Sequence, residues 1–186
     1  VEGHNLVLGT QLVNNNVQLL RKSLATEIIN LNTSLSQLNF YIQDELPIGE
    51  IANLKTGFRV INALQLKKWF AEPRIAISLN ISKNIKLNAS WGLYNQFMAK
   101  TSLVDSSYNF SYFWTNSDNE TIPVLNAGHW VGGISYNKNG FTFSTEGYYK
   151  TTTGINRFFN GTNRLARGFY HGEGRSYGVD LYIKKE

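Results

Sequence analysis

The sequence predicts an all-β protein, an antiparallel up-and-down transmembrane β-barrel segment of about eight strands. Three observations predict it. From Glu72 to Phe97 the chain reads as two arms of period-2 alternation around a tight Ser82-Lys83-Asn84 turn. Ile75, Ile77, Leu79 and Ile81, then Ile85, Leu87, Ala89, Trp91 and Leu93, form one apolar face. Arg74, Ala76, Ser78 and Asn80, then Lys86, Asn88, Ser90, Gly92 and Tyr94, form the other. Each arm keeps this pattern for about ten residues, the length a tilted strand needs to cross a bilayer, where strands of soluble domains average nearer five or six. Last, the connections along the chain alternate between tight turns and long loops, the asymmetry of an outer-membrane barrel.

Composition agrees. No run approaches the roughly 20 apolar residues of a membrane-spanning helix, whereas barrel strands hide their apolar residues in alternation. Cysteine is absent, which removes disulfides, thiolate metal sites and cysteine nucleophiles. The net charge of +5 is spread thinly, with Lys67-Lys68 and Lys184-Lys185 its densest points. Those pairs are too sparse for a nucleic-acid groove, so no nucleic-acid partner is expected.

In chain order, the first strand is Gly3 to Val13, with Leu6, Leu8, Thr10 and Leu12 opposite Asn5, Val7, Gly9 and Gln11. Asn14-Asn15-Asn16 closes it, and Val17 to Ser36 reads as a long loop. The second strand, Gln37 to Leu46, sets Leu38, Phe40 and Ile42 against Asn39, Tyr41 and Gln43, and Pro47-Ile48-Gly49-Glu50 turns it. The third, Ile51 to Leu64, places Leu54, Thr56, Phe58 and Val60 against Lys55, Gly57 and Arg59. A medium link, Gln65 to Ala71, leads into the hairpin already described.

After Phe97 a polar and aromatic segment runs to Asn126 without a sustained repeat. The sixth strand, Gly128 to Tyr136, turns at Asn137-Lys138-Asn139-Gly140, where Asn-Gly is a strong hairpin signal. The seventh, Phe141 to Lys150, is followed by a long loop from Thr151 to Glu173, and the last strand is Gly174 to Lys184. The outward faces carry aliphatic residues in mid-strand, with Trp91, Tyr136, Phe141, Tyr149 and Tyr177 toward the ends, where an aromatic girdle lies. Arg59, Arg74, Glu146 and Asp180 fall on the opposite face and are the candidates for lining a lumen.

Seven short motifs then occur in order: Tyr41-Ile42-Gln43-Asp44-Glu45, Gly57-Phe58-Arg59, Glu72-Pro73-Arg74, Asn95-Gln96-Phe97, Phe113-Trp114 ahead of Ser117-Asp118, Glu146-Gly147-Tyr148-Tyr149-Lys150, and Gly172-Glu173-Gly174-Arg175-Ser176-Tyr177-Gly178-Val179-Asp180-Leu181. Together they resemble the mid-barrel of a TonB-dependent outer-membrane receptor. The resemblance implies a larger barrel of about 22 strands around an N-terminal plug. It implies import of a scarce nutrient across the bacterial outer membrane, driven through TonB. Residues 1–186 then form a single barrel domain, a fragment without its plug. The partners implied are outer-membrane lipid and lipopolysaccharide, the plug and TonB through regions outside this segment, and, left open, a surface lipoprotein over the loops.

No enzyme chemistry is expected. His4, His129 and His171 have no ligand-spaced partner, no nucleophile elbow is present, and no metal or cofactor is called for. The glycine-rich Gly172 to Gly178 precedes a strand, not the helix a phosphate cradle needs. Ligand contact falls instead to the loops. Tyr108, Phe110, Tyr112, Phe113 and Trp114 offer rings for stacking, and Arg157 and Arg164 offer positive charge for an anionic ligand. Two alternatives stand beside this reading: a complete small outer-membrane barrel with a structural or adhesive role, and a soluble lipocalin-like binding protein whose apolar face is a dry core.

Overall fold

The computed structural model describes residues 3–23, 26–105, 108–160 and 167–186. Ten strands follow one another: β1 (Asn5–Ser23), β2 (Thr26–Ile48), β3 (Ala52–Ala63), β4 (Lys68–Asn80), β5 (Ile85–Gln96), β6 (Met98–Asp105), β7 (Phe110–Asn116), β8 (Leu125–Lys138), β9 (Phe141–Asn160) and β10 (Arg167–Lys185). They make one barrel-shaped sheet in the order β1-β2-β3-β4-β5-β8-β9-β6-β7, with β10 on the other edge of β9. Eight of them form the wall. The remaining pair, β6 and β7, is a hairpin inserted between β5 and β8.

Three tight turns share one end of the wall, joining β2 to β3, β4 to β5 and β8 to β9. At the last, Asn139 and Gly140 have φ of 50° and 72°. Both central positions are left-handed, which is why Asn-Gly occupies them.

Cross-strand register builds the outward face in rows. Ile75, Trp91, Trp130, Tyr149 and Tyr177 are direct neighbours across five strands. The next row toward the tight turns is Ile77, Ala89, Gly132, Gly147 and Val179. Leu8, Leu12, Phe40, Ile42 and Phe58 continue the face onto β1 to β3, and all remain exposed. So broad an apolar surface is stable only under a solvent as apolar as itself. On the inner face, three tyrosines lie flat over glycines: Tyr41 on Gly9, Tyr94 on Gly92 and Tyr148 on Gly178. A side chain at those glycines would lift each ring off the wall.

At the loop end the structure departs from the sequence reading. The segment 17–36 is not a loop: β1 and β2 stay paired through Asn14↔Ser36, Val17↔Thr33 and Leu19↔Leu31 to Ser23↔Thr26. Likewise the segment 151–173 belongs largely to β9 and β10, paired up to Arg167↔Asn160. These extensions stand beyond the apolar band, where one face turns to water and the other packs Ile29, Leu35 and Phe158 inward, so pairing continues after the regular hydrophobic alternation has stopped. The Gln65 to Ala71 link shrinks to a turn, with Lys67 N–H donating to the Leu64 carbonyl at 3.2 Å and Lys67 at φ 52°.

The true hydrophobic core sits at this end. Leu35, Ile61, Ala63, Phe97 and Val124 form one cluster, and Ile29, Leu103, Phe113 and Phe158 a second. The second packs the β6–β7 hairpin against the extended tip of β1 and β2. Asn116 Nδ2 ties them, donating to the carbonyls of Asn15 at 3.0 Å and Thr33 at 3.2 Å.

Candidate functional site

Two arrangements of side chains stand out. The first is on the inserted hairpin, where burial alternates along β7: Phe113 and Thr115 face the core while Phe110, Tyr112 and Trp114 are 62%, 60% and 51% exposed. Register sets Lys100 opposite Trp114 and Ser102 opposite Tyr112, and the Lys100 ammonium lies 4.7 Å from the centre of the Tyr112 ring. β6 runs parallel to β9 with Ser102 beside Arg157, and Arg157 is in turn opposite Tyr170 on β10. Tyr112, Ser102, Arg157 and Tyr170 thus form one row across four strands. Its two rings are more than half exposed, and such a surface suits stacking on a planar group and binding an anion.

Tyr108 stands at the hairpin's turn with φ 60° and a fully presented ring. Phe113 belongs to the buried cluster on the far side, so its ring is turned away from this patch. Arg157 lies in β9 and not in a loop. Arg164 lies outside the described residues.

The second arrangement is on the inner wall. Pro73 has no N–H, and the β4–β5 ladder stops beside it at Arg74↔Gly92. The carboxylate of Glu72 fills the break: Oε1 accepts the Asn95 backbone N–H at 2.7 Å. Its other oxygen takes Arg74 Nη2 at 2.8 Å, with Arg59 Nη1 at 3.9 Å. Glu72 is 2% exposed, so this charge is stable only because two guanidiniums and a backbone donor surround it. Gln11 accepts from Arg59 at 3.3 Å and from Asn39 at 3.4 Å, and the Arg74 guanidinium stacks 4.6 Å from the Tyr94 ring centre. Arg59 and Arg74 are therefore joined through Glu72. Glu146 and Asp180 share the inner face but sit apart, paired with each other across β9 and β10.

No protein-family model and no curated protein matches the sequence. The fold, however, is similar to that of solved structures. The ferric enterobactin receptor PfeA aligns with a TM-score of 0.65 at 11% identity, over 96% of this chain and 30% of that one. The siderophore receptor PirA from Acinetobacter baumannii aligns at 0.63 and 10% identity, over 97% and 31% of the two chains. PirA from Pseudomonas aeruginosa aligns at 0.55 and 10% identity, over 98% and 44%. The chain has the fold of an outer-membrane barrel wall. It spans less than half the length of each of these receptors.

Sequence reasoning found only part of the inner-wall arrangement. Gln11, Asn39 and Tyr94 read as ordinary polar positions of two-faced strands, as does His129, whose ring lies 4.9 Å from that of Tyr94. Their convergence depends on pairings between β1 and β2 and between β5 and β8, which no local pattern encodes. Lys100 and Tyr170 were missed on the hairpin patch for the same reason. The one available signal was Glu72-Pro73-Arg74, a proline flanked by opposite charges in mid-strand.

Proposed function

We propose that this chain is part of the barrel of a TonB-dependent transporter in the bacterial outer membrane, which binds a scarce nutrient at its outer loops and passes it inward past a plug. Transport, not enzymatic chemistry, is the activity. The tight turns lie on the periplasmic side and the extended hairpins outside. The Phe110, Tyr112, Trp114, Lys100 and Arg157 surface is the loop contact for the nutrient, and Arg59 and Arg74 face whatever fills the lumen.

The inner wall supports this reading most directly. A charged network around a buried Glu72, on the face opposite a broad apolar surface, fits a wall that encloses polar contents and stands in lipid. A dry lipocalin-like core would place its apolar face inward against side chains, and here that face is exposed. Among the described residues β1 pairs only with β2, and β10 only with β9. Unpaired edges in hydrocarbon cost several kcal/mol per group, which favours further strands on both sides over a small closed barrel.

The test is uptake by cells producing the full-length protein, scored over a panel of ferric chelates, cobalamin, glycans and peptides, with and without a protonophore. One panel member should be taken up only when the protein is present and the inner membrane is energised. Flux that persists without energy would replace this reading with that of a passive pore.

A further inference from the structure

The inner wall carries more positive charge than it neutralises. Arg74, Gly92, His129 and Lys150 are direct neighbours in one row across β4, β5, β8 and β9, spanning about 14 Å at the usual strand spacing. Gly92 leaves a gap in that row, and Tyr94 folds into it: a side chain at 92 would meet the Tyr94 hydroxyl at 2.9 Å. The ring of Tyr94 thereby lies between the Arg74 guanidinium, at 4.6 Å, and the His129 imidazole, at 4.9 Å. The result is a shelf of donors: guanidinium, phenol, imidazole, ammonium.

The acids of the inner face are already engaged, and only Glu72 touches the shelf, where it offsets one of the two arginine charges. Both oxygens of Glu72 are taken by Asn95, Arg74 and Arg59. Glu45 is held by Lys55 at 3.3 Å and Asn53 at 2.8 Å. Glu146 and Asp180 lie four residues from Lys150 and Ser176 along their strands, about 13 Å toward the tight turns. Among the described residues neither His129 nor Lys150 has an ion-pair partner. Beside the shelf, a cleft of about 250 Å³ is lined by Gln11, Tyr41, Arg59, Glu72 and Arg74, and the buried Nε of Arg59 has no acceptor.

We propose that this shelf and cleft, Arg59, Arg74, Tyr94, His129 and Lys150, bind a carboxylate. With Glu72 offsetting one of the two arginines, the charge of the other and that of Lys150 attract it at range, and the planar guanidinium of Arg74 with the Tyr94 hydroxyl fixes its orientation. The carboxylate belongs either to an acidic side chain of the polypeptide that fills the lumen or to a solute in transit. The inference rests on the wall enclosing a lumen, but not on energy-driven uptake.

Full-length protein in liposomes tests it with two measurements: calorimetric titration with tricarballylate, and the urea concentration at which the lumen begins to conduct ions. Lys150→Gln and Arg74→Gln are compared with wild type and with Lys86→Gln, which removes an inward cation outside the shelf. If a solute supplies the carboxylate, wild type binds tricarballylate and the two shelf variants bind about tenfold more weakly, the loss of one charge-assisted bond. If a lumen-filling polypeptide supplies it, wild type ignores the probe and the shelf variants conduct at lower urea. Lys150→Gln leaving both measurements unchanged would overturn the proposal, as would Lys86→Gln shifting them equally. Heat-dependent gel mobility, unchanged in Lys150→Gln and Lys86→Gln, separates these outcomes from misfolding, and Lys150→Gln decides them because Arg74→Gln also unpairs the buried Glu72. Energy-independent uptake would sink the transporter reading and leave both measurements standing.

Discussion

The wall and the loop end of this chain bury opposite things. Along the wall, Leu8, Ile75, Trp130 and Leu181 face outward and Arg59, Glu72 and Arg74 face inward. At the loop end, Leu35, Leu103 and Phe158 are packed inside while Phe110, Tyr112 and Trp114 stand in solvent. The same strand chemistry serves both, because what a strand buries is decided by the solvent on each side of it. Lipid outside and water inside reward one orientation, and water outside with a second β layer inside rewards the other.

The largest expected effect is at the loop-end core. Leu103→Ala should cost about 2–5 kcal/mol locally and unseat the β6–β7 hairpin, read as faster proteolysis between Met98 and Asn116. Tyr112→Ala, one strand away on the exposed face, should stay within about 0.5 kcal/mol in stability and, on the proposed transporter reading, weaken nutrient binding. If both variants are cleaved equally fast, the two faces of the hairpin are not distinct.

A charge in the wall comes next. Ile77→Arg, on the outward face, should cost about 2–4 kcal/mol and lower the amount of folded barrel in outer-membrane fractions. Ser78→Arg, on the inner face, should be recovered at near wild-type amounts. Equal recovery of the two would deny that lipid covers the Ile77 side.

Smaller effects probe the contacts that join the regions. Gly92→Val should displace Tyr94, costing about 1–3 kcal/mol, seen as an earlier heat-induced gel shift. Asn116→Ala removes the donors to Asn15 and Thr33 and should cost about 1 kcal/mol, measured as increased amide exchange at the β1–β2 tip with the wall unaffected.

This contrast also explains which parts were legible. In the wall, Ile75 to Ile81 and Ile85 to Leu93 announce their two faces because a different solvent waits on each side. Asn14-Asn15-Asn16 announces nothing, since polar residues suit both faces once β1 has left the apolar band, and the strand runs on unnoticed to Ser23. Of the rings between Tyr108 and Trp114, sequence could not separate the buried Phe113 from its exposed neighbours without knowing which layer would cover β7. Arg157 reads as a loop residue until the parallel pairing of β6 with β9 sets it beside Ser102.

By itself, then, the sequence determined local geometry: strand periodicity, the Asn139-Gly140 turn, an apolar face of bilayer length, and a proline that must interrupt a ladder at Glu72-Pro73-Arg74. Only the tertiary structure decided that β6 and β7 join β9 and lean on β1 and β2, and that Arg74, Tyr94, His129 and Lys150 share one shelf with Arg59 in the cleft beside it. The reason is range. Alternation is fixed by neighbours two residues apart, whereas a shelf and cleft gathered from β3, β4, β5, β8 and β9 exist only after register has aligned residues as far apart as Arg59 and Lys150.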